Sequence, residues 1–293
     1  MASPASINSV PNEILISILV FLPSSALLPL TAVNRRFSSV ILRILRQRLV
    51  EASSLPDHRL ILECYHPADK LSTPYLYGDY LWTDSIDDAN TRAIVAKGQD
   101  PPDLTVSALG RMYSHFRPVK QDENRRGRRR YPRQSEAQAA AQDSLPDRPY
   151  EDVFLDGGEL FSQLCTVTNL VKVGPKQGLF LSHVNLNDGL IRVFRDWLAA
   201  QATDSSPGAQ APILWTDTSQ AVGVRFRVSK RDPGWERMPL LVEADEDEAS
   251  VSYRLEFEEL LVRSGHLLLM MEESEKQQVT TQSGKAIVVI ASF

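Results

Sequence analysis

The side chains suited to acid–base, nucleophilic or metal chemistry are His58, His66, His115, His183 and His266 together with Cys64 and Cys165. A locally built zinc or transition-metal site presents its ligands at short recurring intervals, because one turn or hairpin must aim them at one ion. These histidines are dispersed, so the sequence offers no positive sign of a metal centre. Cys165, inside LFSQLCTV, would need a histidine brought in by folding to become a nucleophile, and a small apolar residue is the simpler reading. Asp87 with Asp88, and Glu258 with Glu259, are adjacent carboxylates, but a general acid/base pair is defined by separation and environment. Gly157-Gly158 lacks the flanking pattern of a nucleotide-binding loop. The expectation is a recognition protein without catalytic residues, cofactor or metal, not an enzyme.

Charge and composition narrow the class further. With 32 basic and 37 acidic residues the formal net charge is -5, which gives no global attraction for nucleic acid or an anionic membrane. Two cysteines far apart in sequence do not make a disulfide framework, and the expected compartment is reducing: cytoplasm, nucleus or both. The first apolar stretch has no basic segment before it and is broken by Asn12, Glu13, Ser17, Pro23 and Pro29, so it reads neither as a signal peptide nor as a membrane span. The run RRGRRRYPR concentrates Arg125, Arg126, Arg128, Arg129, Arg130 and Arg133, a candidate localisation signal set against a simple solvated basic loop. No nucleic-acid fold signature accompanies it, and Tyr131 alone is no base-stacking platform. The acidic run Glu243, Asp245, Glu246, Asp247 and Glu248 lacks the spacing of an EF-hand loop and reads as solvent-exposed.

The elements that could present a binding surface begin in the first fifty residues. VPNEILISILVFL sets Ile14, Leu15, Ile18, Leu19 and Leu22 at helical spacing behind Pro11. Leu22-Pro23-Ser24-Ser25 ends that helix and offers hydroxyl caps for a second, over roughly 26–33, with Pro29 inside or near its start. A third begins near Asn34 and repeats Phe37, Val40, Ile41, Ile44 and Leu45. Three short apolar helices cover one another but bury little else, so the rest of the protein or a partner must supply further burial. Leu27, Leu28 and Leu30 either pack internally or leave some side chains outward for a partner, and Arg35 and Arg36 either meet an acidic partner or face solvent.

The patterns VPNEI at 10–14, LP at 22–23, LLPL at 27–30 and VNRRF at 33–37 resemble an F-box of fungal type, over Ile7 to Leu49. The family commonly has leucine where Val10 stands, and the late aromatic common in many F-boxes is absent from 40–49. The resemblance implies a Skp1-binding unit that places its protein in an SCF-type cullin–RING ubiquitin ligase, with Skp1 as partner and the cullin–RING scaffold reached through it. By the same resemblance, Pro11 and Ile14 match the first motif and Leu22 and Pro23 the turn. Leu30, Val33 and Phe37 match the apolar pattern that shapes and supports the interface.

Beyond residue 50 the period changes from helical to alternating. LILECY, the aromatic run from Tyr75 to Trp82 with a break at Gly78, LFLSHVNL, AVGVRFRV, SVSYRLEFEEL, GHLLLMM and KAIVVIASF all read as strands. IRVFRDWLAA is read as a strand through about Trp197, because Asn187-Asp188-Gly189 before it reads as a turn. AVGVRFRV would place Val222, Val224, Phe226 and Val228 on one face and Arg225 and Arg227 on the other. The expected fold class is α+β: a small three-helix F-box module followed by a mainly antiparallel β-sandwich. The expected organisation is a flexible leader over 1–6, the helical domain over 7–50, the start of the β domain over 51–96, a Pro/Arg-rich insertion or disordered loop over 97–149, and the rest of the β domain over 150–293. GDYLW, DGLIRVFRDWL, ILW, RFRV and SYRLEFEELLVRSGHLLLM also resemble the C-terminal β domain of some fungal F-box proteins and, remotely, phloem-lectin-like sandwiches. The function expected is an adaptor holding an unknown protein substrate on the β domain; the alternative is a non-catalytic recognition or glycan-binding protein with no productive ligase role.

Overall fold

The computed structural model describes residues 7, 10–70, 73–84, 105–120, 148–175, 179–203, 211–231, 250–282 and 288–289. Helix α1 runs Asn12–Leu19, directly after Pro11, whose fixed φ and missing N–H suit a helix start. Its inward positions Leu15 and Leu19, with Leu22 one turn on, fall on one stripe. Helix α2 is Ser24–Leu30, two residues earlier than the spacing suggests, so that Pro29 sits in its last turn rather than near its start. Helix α3, Arg35–Ser53, is opened by Asn34, whose Oδ1 accepts the Phe37 N–H at 2.8 Å, and it buries Phe37, Val40, Ile41, Ile44, Leu45 and Leu49 at three- and four-residue spacing.

The remaining elements are β1 His58–Tyr65, β2 Leu76–Thr83, α4 Val106–Gly110, β3 Tyr113–Lys120, β4 Tyr150–Leu155, β5 Phe161–Val173, β6 Leu179–Phe194, α5 Arg195–Thr203, β7 Ile213–Trp215, β8 Val222–Arg231, β9 Val251–Arg263, α6 Ser264–Gln282 and β10 Val288–Val289. The strands join into one sheet of order β10-β6-β5-β1-β2-β3-β9-β8-β7, with β4 paired to β9 where β3 has left it. Every pairing is antiparallel and the sheet curls into a half-barrel. The expected α+β architecture, three helices followed by mainly antiparallel β structure, is the one found. One apolar cluster runs without a break from Leu15, Leu27 and Ile41 of the helices through Leu267, Leu268 and Met271 of α6 to Phe116, Leu170, Phe226 and Leu255 of the sheet. Each fully buried leucine in it contributes about 1.5–3 kcal/mol of transfer free energy.

Several local readings are corrected. GHLLLMM is the start of α6, not a strand: Leu267, Leu268 and Met271 are buried with Ser274 at helical spacing, and the run has no alternation. IRVFRDWLAA leaves the sheet at Phe194 and is helical from Arg195, because β5 begins at Phe161, opposite Phe194, and provides no partner further on. Asn187-Asp188-Gly189 is not a turn but part of the β5–β6 ladder, opposite Thr168, Val167 and Thr166. Gly78 does not break β2; it lets three strands approach, since a Cβ there would stand 3.1 Å from Leu60 Cβ and 3.3 Å from Phe116 Cβ. Within the stretch read as an insertion, α4 and β3 are ordered elements. Pro118 argues against a strand at β3 in sequence; it is tolerated because the β3–β9 ladder ends at Phe116, leaving β2 as its neighbour among the described residues. Of KAIVVIASF only Val288–Val289 is a described strand, and the leader over 1–6, the Arg125–Arg133 run, the Asp87-Asp88 pair and the 243–248 acidic run lie outside the described residues.

The two ends of the curled sheet approach each other at Gly189, where an added Cβ would collide with the Thr216 carbonyl oxygen and stand 2.9 Å from its Cβ. Asn187 Nδ2 also donates to Thr216 Oγ1 at this seam. Gly189→Ala is therefore expected to cost about 1–3 kcal/mol through overpacking, whereas Gly110→Ala, with nothing within 4 Å, is expected to be neutral or slightly stabilising. Urea unfolding of the two variants beside wild type checks the contrast.

Candidate functional site

Helix α1 turns one stripe inward and leaves its complement unsatisfied. Pro11, Ile14, Ile18 and Phe21 follow one another at three- and four-residue steps and are exposed, Ile14 to 52% and Phe21 to 88%. Leu28 of α2 and Val33 after it are exposed as well. Of the residues picked from sequence, Pro11, Ile14, Pro23 and Val33 are exposed, Leu22 and Leu30 are half-buried against the core, and Phe37 is buried in it. The alternative left open for Leu27, Leu28 and Leu30 resolves unequally: Leu27 is fully buried, Leu28 faces out and Leu30 lies between. Ile18 and Phe21 were missed as surface residues, although counting onward from Ile14 by four and then three reaches both. Arg35 is exposed, but Arg36 is used internally, donating to Asn12 Oδ1 at 2.7 Å and to the Val10 carbonyl.

The turn between α1 and α2 is held from the far end of the chain. Ser24 and Ser25 seemed to supply their own cap, yet α2 has no side-chain cap from its N-cap residue, Pro23. The acceptor is Glu272 of α6, whose two carboxylate oxygens each lie 3.1 Å from the Ser24 backbone N–H and whose Oε1 accepts the Ser24 hydroxyl at 2.6 Å. A carboxylate at that position meets the unpaired N–H groups and the positive end of the helix. Arg48 of α3 completes the arrangement: Nη1 pairs with Glu272 at 3.2 Å, and Nη2 donates to the carbonyls of Val20 at 2.7 Å and Leu22 at 2.8 Å. Beside it a crevice of about 570 Å³ opens between Phe21, Leu22 and Pro23 on one wall and Leu268, Met271 and Glu275 on the other.

A second constellation lies on the sheet face opposite the core. Val222, Val224, Phe226 and Val228 point into the core as the alternation predicts, so Arg225 points away, yet it is buried in an ion pair with Glu259. A register shift between Arg225 and Phe226 separates the adjacent carboxylates: Glu259 joins Arg225 while Glu258 pairs with Arg227 at 2.7 Å. His115 donates through Nδ1 towards Glu259 at 3.0 Å and through Nε2 towards Asp84 at 3.2 Å, and the half-exposed Trp82 ring stacks on it at 3.8 Å and 9°. Burial opposes charge on His115, but the hydrogen bonds and fields of Asp84 and Glu259 outweigh it and hold the pKa above 6.5. Burial likewise opposes the Glu259 carboxylate, but His115 and Arg225 outweigh it and hold its pKa below 4.5. An imidazole engaged at both nitrogens by carboxylates is held in place by its partners and presents no free nitrogen to act as a base. Sequence reasoning set the histidines aside as dispersed; only strand register brings His115 to Glu259.

His58, Ser274 and Cys64 are locked inside. His58 Nε2 meets Ser274 Oγ at 2.8 Å, and Ser274 meets Ser182 at 2.5 Å, but Ser274 is fully buried and His58 binds the Pro56 carbonyl through Nδ1. Burial lowers the His58 pKa and pushes the Cys64 thiol far up. Cys64 and Cys165 are both free, opposite Thr166 and Tyr65 in the β1–β5 ladder and so on opposite faces. Among the described residues no three His, Cys, Asp or Glu side chains are grouped to hold a metal ion, and no helix is long and apolar enough to cross a membrane.

Residues 7–51 match the F-box-like family, a span that holds α1, α2 and nearly all of α3, so an F-box domain forms the N-terminal part of the chain. Such a domain supports a general role as an adaptor for a Skp1-like partner. No curated protein and no solved structure gives a significant match, and the resemblance of the β domain to fungal F-box proteins and phloem lectins has no counterpart among the matches.

The His115 cluster fixes a pH dependence. With a folded pKa above 6.5, His115 contributes fully below pH 6.5 and loses that contribution as pH rises through its raised value. Glu259 contributes fully above pH 4.5 and loses its contribution as pH falls through its lowered value. His58 acts in the opposite sense to His115, its contribution fading as pH falls below 6.5. The stability difference between wild type and His115→Gln, which cancels the His58 effect, is expected to shrink as pH rises above 6.5. Urea titrations between pH 5.5 and 8.5 measure it, and a difference that stays flat would show that His115 does not titrate in that window.

Proposed function

We propose that the chain is a substrate-recognition adaptor of an SCF-type cullin–RING ubiquitin ligase, binding a Skp1-type protein through the N-terminal helices and a protein substrate through the β domain. The observation that carries the reading is the exposed apolar stripe of Pro11, Ile14, Ile18 and Phe21, with Leu28 and Val33 beside it, on residues that match the F-box-like family. Large apolar side chains left in water along one helix face mark a surface that is covered in the working assembly. The mechanism is proximity: an adaptor that holds a substrate beside a ligase raises its effective concentration and needs no reacting group of its own. The half-exposed Trp82 over His115 offers the β domain a flat, rigid aromatic contact of the kind that anchors protein interfaces. The same reading places the protein in the cytoplasm, the nucleus or both, with the Arg125–Arg133 run as a localisation signal.

Ile14→Asp and Val33→Asp change exposed residues and are expected to leave the thermal unfolding midpoint within a degree or two of wild type. Each is expected to weaken binding to the organism's Skp1 homologue by more than tenfold, as removal of an interface anchor does. Titration calorimetry with the purified proteins provides the check. A wild-type chain that is folded and does not bind the homologue would sink the adaptor reading.

A further inference from the structure

The geometry points to Glu272, on the C-terminal helix, as a positioning residue for the partner-binding surface of the N-terminal domain, so that the β domain sets the shape its own F-box presents. The inference rests on the adaptor reading above and extends it to residues outside the span that matches the family.

The turn from Val20 to Pro23 lies between two helices that are short, eight residues in α1 and seven in α2. Helices of that length hold no shape of their own in water. Phe21 stands out from the turn almost fully in solvent, so nothing on its own side fixes it. What fixes the turn is behind it. Arg48 takes the carbonyls of Val20 and Leu22, one on each side of Phe21, and Glu272 takes the N–H of Ser24 immediately after Pro23. The two clamps are joined to each other by the Arg48–Glu272 ion pair. The stem of Phe21 is therefore pinned by the Arg48 guanidinium, which is itself held by a carboxylate 248 residues from Ser24 in sequence. Leu268 and Met271, the buried neighbours of Glu272 on α6, belong to the same apolar cluster as Leu15, Leu19 and Leu27, which holds α6 against the helices. Charge-assisted hydrogen bonds to backbone are directional, so removing the carboxylate frees the turn while the apolar packing of α6 remains.

The experiment uses the full chain and the purified Skp1 homologue of its organism. Glu272→Gln keeps an acceptor but loses the charge, Glu272→Ala loses both, and Glu273→Gln alters the exposed neighbour on the same helix. At a temperature where circular dichroism shows all of them folded, the dissociation rate is expected to rise about tenfold for Gln and more for Ala, with Glu273→Gln unchanged. Amide exchange at Phe21, Leu22 and Ser24 is expected to accelerate in the same order, a readout that a general loss of stability would spread over α3 and the sheet as well. If folded Glu272→Gln and Glu272→Ala bind as wild type does while Ile14→Asp fails to bind, the positioning role is overturned and the adaptor reading stands. If wild type itself does not bind, both fall together.

Discussion

Two short helices on one long one cannot close a core by themselves, and the arrangement of this molecule follows from how that shortage is met. Leu15, Leu19, Leu27 and the inner face of α3 present more apolar surface than they can cover mutually, and α6 closes it with Leu267, Leu268 and Met271. Because α6 continues directly from β9, the same residues that complete the N-terminal module also seal the half-barrel. Glu272 and Arg48 then add direction to that packing. Hydrophobic burial is non-directional, whereas the carboxylate and guanidinium hold particular backbone atoms. The result is one continuous apolar core that joins the helices to the sheet.

The sheet shows the same economy on its other face. Arg225, Glu259, His115 and Asp84 alternate between cation and carboxylate across neighbouring strands, and the Trp82 ring covers the imidazole. A buried group of this kind contributes little net stability compared with apolar residues of the same volume, and it is costly to break by removing one member. What it supplies is register. Sliding β8 along β9 by one residue would part Arg225 from Glu259, leaving the guanidinium buried without its carboxylate and Glu259 with His115 alone.

The first three helices are legible in the sequence because their signals are local. Asn34 capping Phe37, and Ile41, Ile44 and Leu45 on one face, depend on neighbours within a few residues. Most strands were legible for the same reason, since Val222, Val224, Phe226 and Val228 alternate visibly. The misses share a nonlocal cause. Asn187-Asp188-Gly189 has turn chemistry, but its glycine answers to Thr216 across the seam of the sheet. Residues 264–271 have the composition of a strand, but β9 has already filled the place in the sheet, and the helix wins by covering two layers at once. Ser24 looks like a cap, and the true acceptor, Glu272, sits in an acidic helical surface with no local mark of its role. In the candidate site, therefore, the residues that face outward were readable from spacing, while those that hold them in place were not.

The distance between Ser24 and Glu272 along the chain also sets an order of events at the ribosome. At synthesis rates of about 5–20 residues per second, the 248 residues between them take roughly 10–50 s to appear. Throughout that interval the acceptor for α2 is still unmade. A nascent chain that has not reached α6 thus carries the family's sequence pattern without the carboxylate that holds the start of α2. Formation of that hold on α2 therefore waits on translation of α6, a timing set by the position of one carboxylate.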